Sequence, residues 1–305
     1  MIGYKTKLIL NPNADWGHAG NTVADLRPLV EKSGGADWSE TTYPTHATEL
    51  ARQAGEAGYG LVVAIGGDGT VHEVINGLMQ VPHEIRPRLG IVPLGSGNDF
   101  AHSIGITGTP EESLKRIFAG QPMWIDVGAY DIGNGKREYY NNTFGMGFDA
   151  TVTVRTRHLK HLRGFVMYLV AVLQTIALNL DAPMMHITTD SDSWAEETIM
   201  LVVCNGPREG GGFLVAPGSD SSDGVLNYAS VCRVSRLMML RLIPEVMNGT
   251  HGRFKQIRLG QLRRMQIQSD KPVTVHADGE IIAGFETNVR NVTIEVVPSA
   301  VELMI

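Results

Sequence analysis

Three glycines, one carboxylate and one hydroxyl stand together at Gly66-Gly67-Asp68-Gly69-Thr70. The preceding Leu61-Val62-Val63-Ala64-Ile65 is short, unbroken and rich in β-branched side chains, the pattern of a strand buried on both faces of a parallel sheet. After the glycines, apolar residues at 71, 74, 75, 78 and 79 keep the spacing of one helical face. A strand entering a helix through such a turn offers main-chain N–H groups and the helix dipole to an anion, most often phosphate. Asp68 has the wrong charge for that anion, but it fits if a cation such as magnesium stands between them. The same five residues also read as a tight turn in which Asp68 or Thr70 caps the helix.

A second loop of the same kind shifts the balance. Leu89-Gly90-Ile91-Val92-Pro93 is another short apolar run, and Leu94-Gly95-Ser96-Gly97-Asn98-Asp99 follows it. In a doubly wound sheet, loops at the carboxyl ends of strands share one crevice. Around these loops the pattern strand 7–10, helix 21–32, strand 38–43, helix 46–57, strand 61–65 predicts a parallel sheet with helices on both faces. A further helix is expected over 110–119.

Gly66–Thr70 with Glu73, Asn76 and Gly77 resembles the first signature of the diacylglycerol kinase catalytic-domain family, and 93–101 is similar to its second. That family includes bacterial lipid kinases as well as sphingosine and ceramide kinases. The resemblance implies a kinase that uses ATP and Mg²⁺ to phosphorylate a lipid hydroxyl. It implies nucleotide contacts from Asn11, Pro12, Thr41, Gly66, Gly67, Gly69, Thr70, Glu73, Ser96 and Asn98, with Asp68 acting through magnesium. Within that set Ser96 is assigned to the nucleotide and Asn98 to holding the loop, while Thr45 and Asp99 read as helix caps. Ala14-Asp15-Trp16 departs from the family, which has a small residue then glycine after the Asn-Pro turn.

Beyond residue 122 the texture changes. Nine short strands are expected, over 125–130, 138–143, 184–189, 198–203, 225–231, 254–259, 264–268, 273–276 and 289–297. One long helix over 149–179 and a shorter one over 235–247 interrupt them. This density of strands predicts a mainly-β sandwich or half-barrel. The division is therefore an α/β nucleotide-binding domain, 1–122, and a β-rich lipid-binding domain, 123–294, with 295–305 returning to the first.

Asp278-Gly279-Glu280 follows the strand at 273–276 and resembles the family's catalytic Asp-Gly-Glu, which makes Glu280 the general base. On residue type alone, Asp-Gly is first of all a hairpin turn. The 217–225 segment resembles the family's structural magnesium loop, with ligands at Asp220, Asp223 and the backbone of Val225. Ser222 stands where the family usually has Asp, and Asp220 can contribute through its carbonyl alone. A solvated acidic turn is the rival.

The whole chain carries a net charge of −6, which does not suggest a nucleic-acid partner. Its two cysteines, Cys204 and Cys232, form no disulfide framework, and no apolar run approaches the ~20 residues of a membrane span. Positive charge is nevertheless concentrated in the second domain. Residues 150–180 hold no acid while Arg155, Arg157, Lys160 and Arg163 are basic, and 233–264 hold eight Lys/Arg against Glu245. The expectation is a cytoplasmic protein, peripheral at an anionic inner membrane face, with 165–178 lining an acyl pocket. A core helix beside a solvated basic face is the plainer account. Dimers are common in the resembled family, so a homodimer is allowed. Two rival functions remain: an NAD kinase-like enzyme acting on a soluble metabolite, and a non-catalytic nucleotide- or lipid-binding protein.

Overall fold

The computed structural model describes residues 5–14, 19–159, 161–162 and 164–305. The chain forms two compact units, Met1–Ile125 with Ser299–Ile305, and Asp126–Pro298.

In the first unit β3 (Leu61–Gly66) is the central strand and every residue of it is buried. It runs parallel to β1 (Thr6–Leu10) on one side and β4 (Arg88–Pro93) on the other, and β2 (Asp37–Glu40) adds parallel to β1. An unbroken Leu-Val-Val-Ala-Ile run suits this place, because both faces are covered and alternation would bury polar groups. The covering helices are α1 (Ala19–Lys32), α2 (His46–Glu56), α3 (Asp68–Leu78), α4 (Asp99–Ser103) and α5 (Pro110–Ala119). α5 opens with a reciprocal capping box between Thr109 and Glu112. Leu8, Leu10, Leu26, Val63, Ile65, Val92 and Leu114 form one core.

The second unit is a β-sandwich. β5 (Pro122–Asp131), which enters it from the first unit, pairs antiparallel with β6 (Glu138–Tyr140). The other strands are β7 (Thr143–Gly147), β8 (Met184–Thr189), β9 (Ser193–Cys204), β10 (Leu226–Cys232), β11 (Ile257–Leu262), β12 (Arg264–Ser269), β13 (Val275–Ala277), β14 (Glu280–Ala283) and β15 (Asn291–Met304). β9 serves both sheets: its first half pairs with β8, and its second half lies between β7 and β10. One sheet runs β9-β8-β12-β15 and the other β14-β13-β7-β9-β10-β11. Their inner faces hold Tyr140, Phe144, Met146, Met185, Leu201 and Ile294. β15 leaves this unit after Pro298, and its end runs parallel to β4 through Leu303 and Leu89.

Several expected boundaries move. α3 begins at Asp68, so the glycine-rich segment is itself the first helical turn. The strand expected over 138–143 is two, β6 and β7, and β14 was not foreseen. The single helix expected over 149–179 is α6 (Phe148–Thr156) and α7 (Gly164–Leu178). α6 ends at Thr156, and Gly164, at φ 52° in the left-handed region, opens α7. Lys160 and Arg163 lie outside the described residues. α8 (Arg236–Met247) completes the helices.

Candidate active site

The two glycine loops of the first unit meet backbone to backbone. Leu94 N–H donates to Gly66 O at 2.7 Å. A Cβ on Gly95 would lie 2.7 Å from Gly67 Cα, closer than real Cβ contacts, so glycine is required there. Asn98, itself at φ 51°, clamps its loop by accepting Gly95 N–H and donating to Gly95 O, both at 2.8 Å. Asp68 Oδ1 accepts the N–H of Phe100 at 3.3 Å and so caps α4 from another helix. A methyl on Gly97 would stand 3.1 Å from Asp68 Oδ2 and 3.3 Å from Asp99 Oδ2. Two carboxylates therefore flank one glycine, a hard-oxygen pairing that suits a divalent cation.

Asn11 follows β1, and its Nδ2 donates to Thr70 Oγ1 at 3.1 Å, while its Oδ1 accepts Asn13 N–H. Pro12 follows in the same turn. Thr41 is buried at the end of β2 with its N–H on Leu10 O. Ser96 is exposed. Asn11, Thr70, Gly66, Gly67, Asp68, Asn98 and Asp99 are thus linked through the ends of β1, β3 and β4. Glu73 stands on α3. Its two oxygens accept Thr45 N–H at 2.8 Å and Ala47 N–H at 3.0 Å, capping α2. Thr45 holds the N-cap position at φ 70° but its side chain makes no capping bond. At α4 it is Asp68 that accepts the N–H of Phe100.

In the second unit Asp278 and Gly279 are the two turn residues between β13 and β14, at φ 51° and 80°. These are the values of a tight hairpin turn. Asp278 also anchors it, accepting the N–H groups of Asn141, Asn142 and Thr143 at 2.8–3.1 Å. Glu280 follows, half-exposed, with Arg157 Nη2 at 2.9 Å.

The 217–225 loop surrounds a buried carboxylate that sequence reasoning missed, Asp126. Its Oδ2 accepts Gly224 N–H at 2.6 Å, and its own N–H donates to Ser221 O. Asp220 Oδ1 accepts from Ser222, and Asp223 Oδ1 accepts Val225 N–H. Asn205 donates to Asp126 O and Asn141 O. Asn205 Oδ1, both Asn141 amide atoms and Ser219 Oγ are buried without a hydrogen-bond partner. The three carboxylates each take N–H groups of the loop, and among the described residues they do not form a cluster at metal-ligand spacing.

The same unit holds an apolar cavity among α6, α7, α8 and the sheet. Tyr168, Val172 and Ile176 of α7 line it together with Phe213, Met239 and Leu242. Its polar lining comes from Asp149, Tyr168, Glu209 and His251. None of these four was singled out from the sequence, where Asp149 was only the start of an over-long helix. Val166, Leu173 and Leu178 of α7 and Leu237, Leu240 and Met247 of α8 are exposed. Four of the basic residues noted in the sequence form ion pairs: Arg157 with Glu280, Arg233 with Glu197, Arg253 with Glu245, and Arg258 with Asp192. No helix among the described residues is long and apolar enough to cross a membrane.

Residues 5–130 match the diacylglycerol kinase catalytic domain, and residues 142–305 match the YegS C-terminal NAD kinase beta sandwich-like domain. A probable lipid kinase YegS-like protein of Chromohalobacter salexigens is 36% identical over 235 residues, 76% of this chain and 73% of the relative. The chain belongs to the diacylglycerol kinase family. It is accordingly a kinase of the lipid-kinase type. A probable lipid kinase YegS-like protein of Yersinia enterocolitica is 28% identical over 97% of this chain and 95% of its own. A diacylglycerol kinase of Mycobacterium tuberculosis is 26% identical over 85% of this chain and 81% of its own length. In fold, a putative diacylglycerol kinase from Bacillus anthracis matches with a TM-score of 0.80 at 23% identity, over 100% of this chain and 98% of that one.

Proposed function

We propose that the protein transfers the γ-phosphate of ATP, with Mg²⁺, to the free hydroxyl of a membrane lipid. The apolar cavity of the second unit carries this reading. A kinase of a soluble metabolite has no use for a chamber lined by Val172, Ile176, Phe213 and Leu242. The loops at Gly66 and Gly95, with the start of α3, supply main-chain N–H groups for the phosphates. Asp68 and Asp99 are the residues to hold the active-site magnesium. Magnesium held by these two residues would supply positive charge against the phosphates. Glu280 takes the proton of the lipid hydroxyl, and Arg157 holds its side chain until a substrate arrives. By the family likeness alone, Asp220, Asp223 and the carbonyl of Val225 would be the residues for a second, structural magnesium.

The acceptor lies in a membrane, so the protein must visit one. The exposed leucines of α7 and α8, with basic residues nearby, suit a peripheral contact with an anionic cytoplasmic face. Sedimentation with liposomes checks this: binding should rise with anionic lipid at low salt. The activity itself is tested by incubating the protein with ATP, Mg²⁺ and a whole-membrane lipid extract, beside NAD, and identifying products by mass spectrometry. A lipid phosphomonoester supports the reading; NADP with no phosphorylated lipid overturns it.

A further inference from the structure

The apolar cavity has one strongly polar end, and hydrogen bonds join that end to the hairpin carrying Glu280. Asp149 and Glu209 both line the cavity. His276 Nε2 lies 2.5 Å from Asp149 Oδ2, and the N–H of Gly279 donates to His276 Nδ1 at 3.3 Å. The space for the pair is reserved by Gly145, where a Cβ would fall 1.9 Å from Asp149 Oδ2 and 2.2 Å from His276 Nε2.

Ligand atoms of Asp149, Glu209 and His276 lie within 4.8 Å of one another, a spacing that could hold a metal ion. The hydrogen bonds argue otherwise. Nδ1 accepts Gly279 N–H, which leaves Nε2 as the nitrogen that donates to Asp149. A metal-bound histidine shows the reverse, with the far nitrogen donating to an acceptor. Nε2 therefore has no lone pair to give.

The cluster is a buried acidic group built around one histidine. Burial opposes charge on Asp149, yet His276 and a hydrogen bond with Glu209 outweigh it and hold the carboxyl below the ordinary carboxylate range. Asp149 and Glu209 set two carboxyls against the single imidazole of His276, so the cluster is acidic in balance. The polar end of the cavity therefore presents carboxyl oxygens. No Lys or Arg is among the described lining residues, and burial pushes the His251 imidazole toward its neutral form.

We infer that Glu209 and Asp149 are specificity-determining residues that accept the uncharged, hydroxyl-bearing end of the lipid and reject the same lipid once it bears a phosphate monoester. This rests on the lipid-kinase reading and adds to it a means of product release. A hydroxyl finds carboxyl acceptors for its proton at the cavity end. A phosphate dianion in the same place meets two carboxyls in an apolar chamber, with no Lys or Arg among the described lining residues to offset them. His276 acts as a positioning residue, fixing Asp149 relative to Gly279 and so to Glu280.

The test is equilibrium binding of 1-monooleoylglycerol and of its phosphate, oleoyl lysophosphatidic acid, to the full chain in nonionic micelles. The two ligands differ only in the phosphate. The wild type should bind the glyceride at least about tenfold more tightly. Asp149→Asn and Glu209→Gln should each narrow the gap to about threefold or less, chiefly by improving phosphate binding. Glu209→Gln introduces no cavity, so it remains informative if Asp149→Asn fails to fold. Equal or tighter binding of the phosphate by the wild type overturns the inference, as does an unchanged gap in the folded variants. Failure of the lipid-kinase reading looks different: the binding preference would be intact, with no lipid phosphorylated.

Discussion

Asp68, the first residue of α3, accepts the main-chain N–H of Phe100 in the first turn of α4. One side chain thus ties the helix after the first glycine loop to the helix after the second. Asp68→Ala removes a cap as well as a proposed metal ligand, and should cost about 0.5–2 kcal/mol of stability. Asp68→Asn keeps the Oδ1 acceptor and should unfold close to the wild type. Both should lose at least about a hundredfold in kcat, since neither carries the charge proposed to hold magnesium. Urea unfolding beside a radiolabelled ATP assay separates the two effects. An active Asp68→Asn enzyme would remove the metal role.

Gly95→Ala forces a methyl onto Gly67 Cα, which is backbone and cannot turn aside. Gly97→Ala meets only the carboxylate ends of Asp68 and Asp99, at 3.1 and 3.3 Å. The first should cost about 1–3 kcal/mol and weaken ATP binding sharply. The second should fold nearly normally and shift the metal dependence instead. Equal stability loss in the two variants would mean that the loops do not pack as described.

Glu280 and Asp278 are two residues apart and should behave oppositely. The ion pair of Glu280 with Arg157 is half-exposed, and such pairs contribute about 0–1 kcal/mol. Glu280→Gln should leave the unfolding midpoint almost unmoved while kcat falls by about 10²–10⁴. Asp278→Ala leaves three N–H groups without their acceptor and should cost several kcal/mol, on the order of 1–3 for each lost charge-assisted bond. Its loss of activity should follow the loosened hairpin. A stable but dead Asp278→Ala would shift the base role toward that residue.

The α/β unit was the more legible of the two because its signals are local. Leu61-Val62-Val63-Ala64-Ile65 can only be a doubly buried strand, and Pro110–Ala119 carries its own capping box. Glu73 and Gly77 sit in the motif for a reason that spacing does not show. Glu73 caps α2, and a Cβ on Gly77 would fall 2.2 Å from Thr48 O, so the pair fixes how α2 and α3 meet. The β-sandwich yielded less. Its register depends on pairings between distant strands, such as β13 with β7 and β12 with β15. Asp149, Glu209 and His276 lie 60 or more positions apart and converge only through that pairing. Asp278-Gly279 forms the hairpin turn that its residue types favour, while its carboxylate anchors residues more than 130 positions away.

His251 offers a pH test of the cavity wall. The residue is buried, its Nε2–H is on Val215 O at 2.9 Å, and burial holds its pKa below the ordinary 6.5. The unfolded chain takes up a proton below about pH 6.5 that the folded chain refuses. The contribution of His251 is therefore complete above that pH and declines as pH falls toward the folded pKa, by at most about 1.4 kcal/mol per unit. Glutamine can place an N–H near the position of Nε2 but does not titrate. Between pH 7.5 and 5.5, His251→Gln should lose less stability than the wild type in urea titrations at each pH. Parallel losses in the two proteins would show that the imidazole is already free to charge in the fold, and that the cavity beside it is wetter than its lining implies.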